Sequence, residues 1–381
     1  MQVPAERAAK DSRQLGVSTR ALLWLNARAK FQRGASPSMS EFRILDCGDG
    51  PQGRKWIGSV YNREPGLLWE HISAPVPGKL ARRLPGPSFS RIRAGLQART
   101  RLAAIPFDLL VSHGPRMSYY MQRIANPAIP HLAWSFNFTD LPTGYRLDAM
   151  RRSFAKIDRF ISFSRVECPL YAQLFEVPID RFKFAYWGVN PPIRAPLPRR
   201  IAQPYFAALG GEARDYVTLC DAARRMPHLH FAAVVRPHSL RELDVPDNMR
   251  IFVNLPLEEA WSIVWHAEAA IVPLRDAQTP NGHVTLVGGM HLGKAQIVTD
   301  SSGVADYLEQ RETALLVPPR DPASLARAIE ELADNRALGE RIGAAAQAFA
   351  ARHCTEQSTV DAFHVELIDL VSLAGASSRQ G

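Results

Sequence analysis

From Asp108 onward, short apolar runs alternate with segments whose apolar residues recur at three- and four-residue steps. Strands are predicted at Asp108–Val111, His131–Ser135, Arg159–Ser164 and Arg181–Gly188. Between them, Arg146–Ile157 lines up Leu147, Met150, Phe154 and Ile157 on one helical stripe. Strands that are apolar on both sides need cover on both faces, which means a parallel sheet sandwiched by helices. The second half repeats the alternation, with strands at His230–Val235, Arg250–Asn254, Ala269–Leu274, Ala295–Thr299 and Ala314–Val317. Its helices are predicted at Val217–Arg225, Leu257–His266, Thr285–Leu292 and Gly303–Leu308. Asp321-Pro322 supplies an N-cap and a first-turn proline for Ala323–Leu332, and the helical segments Ala337–Arg352 and Thr355–Leu373 follow.

Asn190–Arg200 (NPPIRAPLPRR) carries four prolines in eleven residues. Proline lacks a backbone donor and fixes its own dihedral, so this stretch reads as an extended connector and the domain boundary. The expected fold class is α/β: two doubly wound domains, 1–190 and 201–354, joined by 191–200 and followed by a helical tail, 355–381. A length of 381 residues and 46% hydrophobic composition support two such cores. Before Asp108 the pattern is weaker; Phe42–Cys47 followed by GDGPQG reads as a first strand with a glycine loop.

Charge divides with the halves. Residues 1–190 hold 28 Lys and Arg against 14 Asp and Glu, whereas 191–381 hold 18 against 23. The first half therefore attracts anions. Lys79–Arg101 has seven basic residues and no acid, with Phe89, Ile92 and Leu96 at helical spacing. It reads either as a solvated helix packed by one apolar stripe or as a docking face for anionic lipid or a phosphorylated acceptor. Few aromatics interleave with these cations, which argues against nucleic acid as a partner.

Four scattered cysteines without a C-x-x-C pair indicate neither a disulfide scaffold nor a zinc knuckle. The polar N-terminus lacks a signal-peptide core and no apolar run reaches membrane-spanning length, so a cytoplasmic setting is expected, at the inner membrane face if the basic half docks there. Gly288–Ala295 mimics a phosphate loop, but Ala295 replaces the magnesium-binding hydroxyl and a helix precedes it where a strand is required. Gly293 is instead expected to be a left-handed helix C-cap. His228 and His230 share a strand entry with no third ligand nearby, and no H-E-x-x-H, G-x-S-x-G or D-x-D motif occurs. No metal site and no cofactor are expected.

Ligands of doubly wound sheets sit beyond the carboxyl ends of strands, at helix N-termini. Leu209-Gly210-Gly211 follows an apolar run, with Arg214 a turn later: bare backbone and a cation suited to an anion. The polar loop Arg275–His283, including Asp276, Asn281, Gly282 and His283, opens a helix near Thr285 whose N–H groups and hydroxyl suit a phosphate. Asp300-Ser301-Ser302-Gly303 is expected to cap another helix.

Phe160–Pro192, Leu209–Ala222, Gly282–Tyr307 and Thr313–Ile329 together resemble the family 4 retaining glycosyltransferases of GT-B architecture. The resemblance implies two Rossmann-like domains facing a cleft, with the acceptor on the first, the nucleotide-diphosphate sugar on the second, and the final helix crossing back to the first. It implies transfer to a hydroxyl of a glycan, polysaccharide or glycolipid, with retention and without metal. It assigns Arg214 and His113, in the motif SHGP, to catalysis. Gly210, Gly211, Arg236, Asp276, Asn281, Gly282, His283 and Thr285 become donor-binding. The family's two glutamates fall at Pro280 and Gly288, and its histidine at the next strand end is replaced by Trp134-Ser135-Phe136-Asn137. A nucleotide-sugar epimerase, or a transferase-like binding module of low activity, are the alternatives on the same architecture.

Overall fold

The structure, a computed structural model, describes residues 42–49, 60, 63, 66–74, 89–211, 213–240, 243–275 and 281–377. Its strands form two six-stranded parallel sheets. The first contains β1 (Phe42–Asp49), β2 (Leu67–Ala74), β3 (Leu109–His113), β4 (His131–Trp134), β5 (Arg159–Ser162) and β6 (Phe182–Phe184), in the order β2-β1-β3-β4-β5-β6. The second contains β7 (Tyr205–Leu209), β8 (His230–Val235), β9 (Met249–Val253), β10 (Ala270–Val272), β11 (Gln296–Thr299) and β12 (Leu315–Val317), in the order β12-β11-β10-β7-β8-β9. Every residue of β3, β4, β5, β10 and β11 is buried, as strands covered on both faces must be. Strand order reverses between β1 and β3 in one sheet and between β7 and β10 in the other. These are the points where a doubly wound sheet opens a crevice for ligands.

The first sheet is covered by α1 (Phe89–Ala104), α2 (Pro115–Tyr120), α3 (Gly144–Phe154) and α4 (Glu167–Phe175). The second is covered by α5 (Tyr216–Arg224), α6 (Leu257–His266), α7 (His283–His291), α8 (Pro322–Asp334) and α9 (Arg336–His353). Local chemistry fixes their ends. Asp321 caps α8 by accepting from the Ser324 N–H at 2.9 Å. Gly293, at φ 65°, ends α7 with the paired bonds of a Schellman turn, Gly293 N–H to Met290 O and Lys294 N–H to Gly289 O.

The last helix, α10 (Glu356–Ser377), returns to the first sheet. Phe363 packs edge-on against Trp134 of β4 at 4.9 Å, and Arg159 of β5 bonds Glu366 and, at 2.8 Å, Asp369. A second tie is made by Tyr307, whose hydroxyl donates to Phe163 O and accepts from the Trp187 N–H, both at 2.8 Å. Asp306 receives the Ser164 hydroxyl and the Arg165 N–H beside it.

That tie explains one departure from the sequence expectation. Residues 302–307 form turns, not the helix expected at Gly303–Leu308, and so Asp300–Gly303 caps no helix. Burying Val304, Tyr307 and Leu308 while aiming the Tyr307 hydroxyl at the first sheet holds this short segment in turns. The connector departs too. Ile193 and Ile201 are buried in the core beneath α6, and the Leu197 N–H bonds the Ser262 hydroxyl, so its prolines run along the second domain. In α1 the expected apolar stripe is turned around. Ala94, Gly95 and Ala98 face the core, while Phe89 and Leu96 are 67% and 52% exposed. Small residues win the inner face because they let α1 lie close to residues 121–125. The basic residues before Phe89 and the glycine loop after Asp49 lie outside the described residues.

Behind β3 runs a buried polar chain. The Gln122 amide donates to His131 Nδ1 at 2.8 Å, leaving Nε2–H to donate to Ser112 Oγ at 2.7 Å. Ser112 meets Ser118 at 2.8 Å, and Ser118 donates to Gly114 O at 2.9 Å. Burial pushes His131 down to about 3. Its neutral form is the one the folded state accepts, so its contribution is complete above the ordinary histidine range and drains as pH falls below about 6.5. The expected loss is about 1.4 kcal/mol per pH unit towards pH 4. Urea unfolding of wild type and His131→Asn across pH 4–7 checks this: the variant's slope is expected to be flatter, and parallel slopes contradict the assignment.

Candidate active site

Both switch points open onto one cleft of about 790 Å³. From the first sheet it is lined by His113 and Gly114 beyond β3, Ser135 and Asn137 beyond β4, and Phe163 beyond β5. From the second it is lined by Gly210, Gly211 and Arg214 beyond β7, Arg236 beyond β8, Asn254 beyond β9 and the start of α7. Of the expected site residues, His113, Gly210, Gly211, Arg214, Arg236, Asn281, Gly282, His283 and Thr285 all line this one space. Asp276 lies outside the described residues.

Arg214 is the centre of the second domain's wall. Its Nη2 donates to Thr285 Oγ1 at 2.9 Å and its Nε to Leu209 O at 3.3 Å, so the cation spans from the end of β7 to the first turn of α7. Ala213, at φ 52°, turns the chain, and Arg214 bridges to Leu274 beyond β10. Gly210 is required by both its backbone and its neighbour. It sits at φ 130°, and a Cβ there would lie 2.7–2.9 Å from the Arg214 guanidinium. Tyr216 clamps the turn by donating to Gly210 O at 2.5 Å. Thr285 is thus a support for Arg214 as well as a wall residue, a role the sequence reading did not give it.

Arg236 crosses over Gly211, within hydrogen-bond reach of Asn254 Oδ1 at 3.1 Å. Gly282, at φ 95°, occupies the N-cap position of α7, whose first N–H groups face the cleft end. His283 gives its Nε2–H to Gly303 O at 3.1 Å and stacks against Tyr307 at 4.9 Å. Burial pushes it down to about 4, so it is a neutral wall residue near pH 7. Two arginines, a helix N-terminus and no carboxylate among the described lining residues make an anion site. No group of three His, Cys, Asp or Glu able to hold a metal occurs among the described residues.

On the opposite wall His113 is 3% exposed and its Nε2 lies 2.6 Å from Asp46 Oδ1. Asp46 also meets His71 Nδ1 at 2.7 Å. Neither Asp46 nor His71 was singled out from sequence. An acid inside the apolar strand FRILDC was the available signal. Trp134, where the family histidine would stand, is fully buried between Phe163 and Phe363, and the cleft is lined there by Ser135 and Asn137 instead.

Residues 238–349 match the model of the family described as glycosyl transferases group 1. No curated protein matches the chain in sequence. Solved structures do match in fold. A glycosyltransferase from Rickettsia africae has a TM-score of 0.63 at 13% identity, covering 88% of this chain and 98% of its own. Sucrose-phosphate synthase from Thermosynechococcus elongatus has 0.66 at 14%, covering 88% and 100%. Anabaena HepE in complex with UDP-glucose has 0.61 at 12%, covering 86% and 99%. At these identities the likeness establishes the GT-B fold. The chain therefore has the GT-B fold, and residues 238–349 of its second half are similar to the group 1 glycosyl transferases.

Gly288 explains how the second glutamate position is used. A Cβ there would lie 2.2 Å from Cη2 of Trp261, which is itself a cleft-lining residue. The indole takes the volume a larger side chain would need. Helix-interior Gly→Ala ordinarily gains about 1 kcal/mol; here Gly288→Ala is expected to destabilise by about 1–3 kcal/mol through overpacking. Chemical denaturation of the variant measures the sign, and a gain in stability contradicts the packing described.

Proposed function

We propose that the protein is a family 4-like retaining glycosyltransferase that moves a hexosyl group from a nucleoside-diphosphate sugar to a hydroxyl of a glycan, polysaccharide or glycolipid, without a metal ion. The observation that carries this reading is Arg214, tied to Thr285 and Leu209 O at the switch point of the second sheet, opposite His113 across the cleft. A nucleoside diphosphate fits a wall of two guanidiniums and backbone N–H groups. The UDP-glucose complex of a GT-B neighbour supports that donor class.

In this reading the donor's C1–O bond to the diphosphate breaks as the acceptor oxygen bonds C1 on the same face. The acceptor proton passes to a phosphate oxygen of the leaving group. Charge developing on the diphosphate is met by Arg214, Arg236 and the N-terminus of α7, electrostatics already in place before reaction. Closure of the two domains about the connector limits hydrolysis. The acceptor lies on the first domain, beside His113, Ser135 and Asn137.

A nucleoside diphosphate at 100 times its Kd is expected to stabilise the fold by about 2.7 kcal/mol, equally with and without EDTA. Arg214→Ala is expected to lower kcat/KM by roughly 10²–10³ while the protein remains folded. Thermal unfolding with added nucleoside diphosphate measures the first, released nucleoside diphosphate across a donor panel measures the second, and the anomeric proton coupling of the product reads retention. No thermal response to any nucleoside diphosphate removes this reading.

The acceptor's setting is proposed to be an anionic membrane, met through α1. Phe89 and Leu96 project from it with Arg93 and Arg99, and no helix of the described residues is long and apolar enough to cross a bilayer. Co-sedimentation is expected with vesicles containing phosphatidylglycerol and not with phosphatidylcholine alone, and the double variant Phe89→Ser, Leu96→Ser is expected to stay in the supernatant. Equal sedimentation of variant and wild type contradicts this face.

A further inference from the structure

The first domain holds a buried ionisable cluster that the proposed chemistry leaves unused. Asp46 stands in the middle of β1, opposite Val111 of β3, and is fully buried. Side chains alternate along a strand, so Leu45 and Cys47 enter the core while Asp46 points the other way. There its two oxygens are divided between two imidazoles, Oδ1 at 2.6 Å from His113 Nε2 and Oδ2 at 2.7 Å from His71 Nδ1. The three residues come from three adjacent strands, β2, β1 and β3, and straddle the switch point of the first sheet. His71 is the outer member, with a side chain 29% exposed; His113 is the inner member and lines the cleft.

A carboxylate withdrawn from water is expensive unless it receives strong hydrogen bonds. A strand position with no need of charge would be filled by an apolar residue at no such expense. What Asp46 supplies is direction. An ionised carboxylate only accepts, so the His113 nitrogen facing it must carry a proton. In a neutral imidazole the other nitrogen then keeps its lone pair, and the ring is held at one angle. Bonding of the second oxygen to His71 prevents the carboxylate from rotating away.

We infer that Asp46 is a positioning residue for the cleft: with His71 bracing it, it locks His113 as the Nε2–H tautomer and holds the imidazole, whose Nδ1 is itself buried, at one angle in the cleft wall. The effect on turnover rests on the glycosyl-transfer reading; the tautomer does not. Nothing about the second domain's anion site depends on this cluster, so its loss acts on turnover and leaves nucleoside-diphosphate binding alone.

Long-range ¹H–¹⁵N spectra of the full-length protein, with His113→Ala used to assign the resonance, report the tautomer directly. Wild type is expected to show Nε2–H at neutral pH, and Asp46→Asn to show Nδ1–H or a mixture. Asp46→Asn is further expected to lower kcat roughly 10- to 100-fold with the donor KM nearly unchanged, and to have no added effect in a His113→Ala background. An Nδ1–H or doubly protonated His113 in the wild type overturns the inference even if Asp46→Asn fails to fold. So does a loss that adds fully to that of His113→Ala. A protein that turns over no donor but shows the expected tautomers refutes the glycosyl-transfer reading and upholds the lock.

Discussion

The bond between Arg214 and Thr285 joins the two segments that the second sheet's strand order brings side by side. β7 and β10 are neighbours in space but the chain between them travels through β8, β9 and α6. At their carboxyl ends the chain departs in opposite directions, leaving exposed amides and carbonyls around a crevice. Arg214 closes part of that accounting. Its Nε and Nη2 bind Leu209 O and Thr285 Oγ1, which leaves a guanidinium held at one place at the crevice wall. Gly210 gives it room, Tyr216 holds Gly210, and the positive φ of Ala213 turns the chain into α5. A cation restrained in this way loses little rotamer entropy when an anion arrives.

That wall is useful only if the opposite one is held at a working distance, and the chain provides two unlike fasteners. Near the cleft, Tyr307 and Asp306 bond the backbone just beyond β5 and at Trp187, ahead of the connector. Farther away, α10 lies on the first sheet through Phe363, Trp134 and the Arg159 ion pairs. The connector itself is anchored on α6 by Ile193, Ile201 and Leu197. The chain crosses between the two walls over residues 185–192, beside the junction of α9 and α10, where Val189 N–H bonds Cys354 O.

Much of this was legible in the residues. The short apolar runs and period-3.6 patterns after Asp108 placed the strands to within a few positions because those strands are buried on both faces and therefore near-uniformly apolar. Gly210, Arg214 and the Gly282–Thr285 turn could be read because loop glycines and a lone cation after a strand have few other reasons to occur together. What failed to show was whatever depends on a distant partner. The run Gly303–Leu308 has helical spacing, yet a hydroxyl bond to Phe163 in the other domain overrides it. The stripe Phe89, Ile92, Leu96 follows hydrophobicity correctly but loses to Ala94, Gly95 and Ala98, because close packing rewards small side chains. An acid in the apolar run FRILDC marked Asp46 as unusual, but its role stayed hidden for a related reason: its two partners lie 25 and 67 residues away.

The replacement at Gly288 is of a different kind, since it changes chemistry and packing together. Restoring a carboxylate there would place its Cβ inside the Trp261 ring, so the position is closed to it as long as the indole stays. Trp261 is in turn fixed by the core it shares with Ile193, Tyr205 and Val264. The wall between Arg236 and α7 is consequently built from Leu255, Leu257, Ala260 and Trp261, apolar surface beside a guanidinium. Such a wall recognises a flat ring by contact and a phosphate by charge, and has little with which to count hydroxyls. In the proposed reading, the directed hydrogen-bonding groups a sugar would meet are Asn254 and Asn281 on one side and His113, Ser135 and Asn137 on the other. In that reading, charge and ring contact come from the second domain, and groups able to bond hydroxyls stand on both walls.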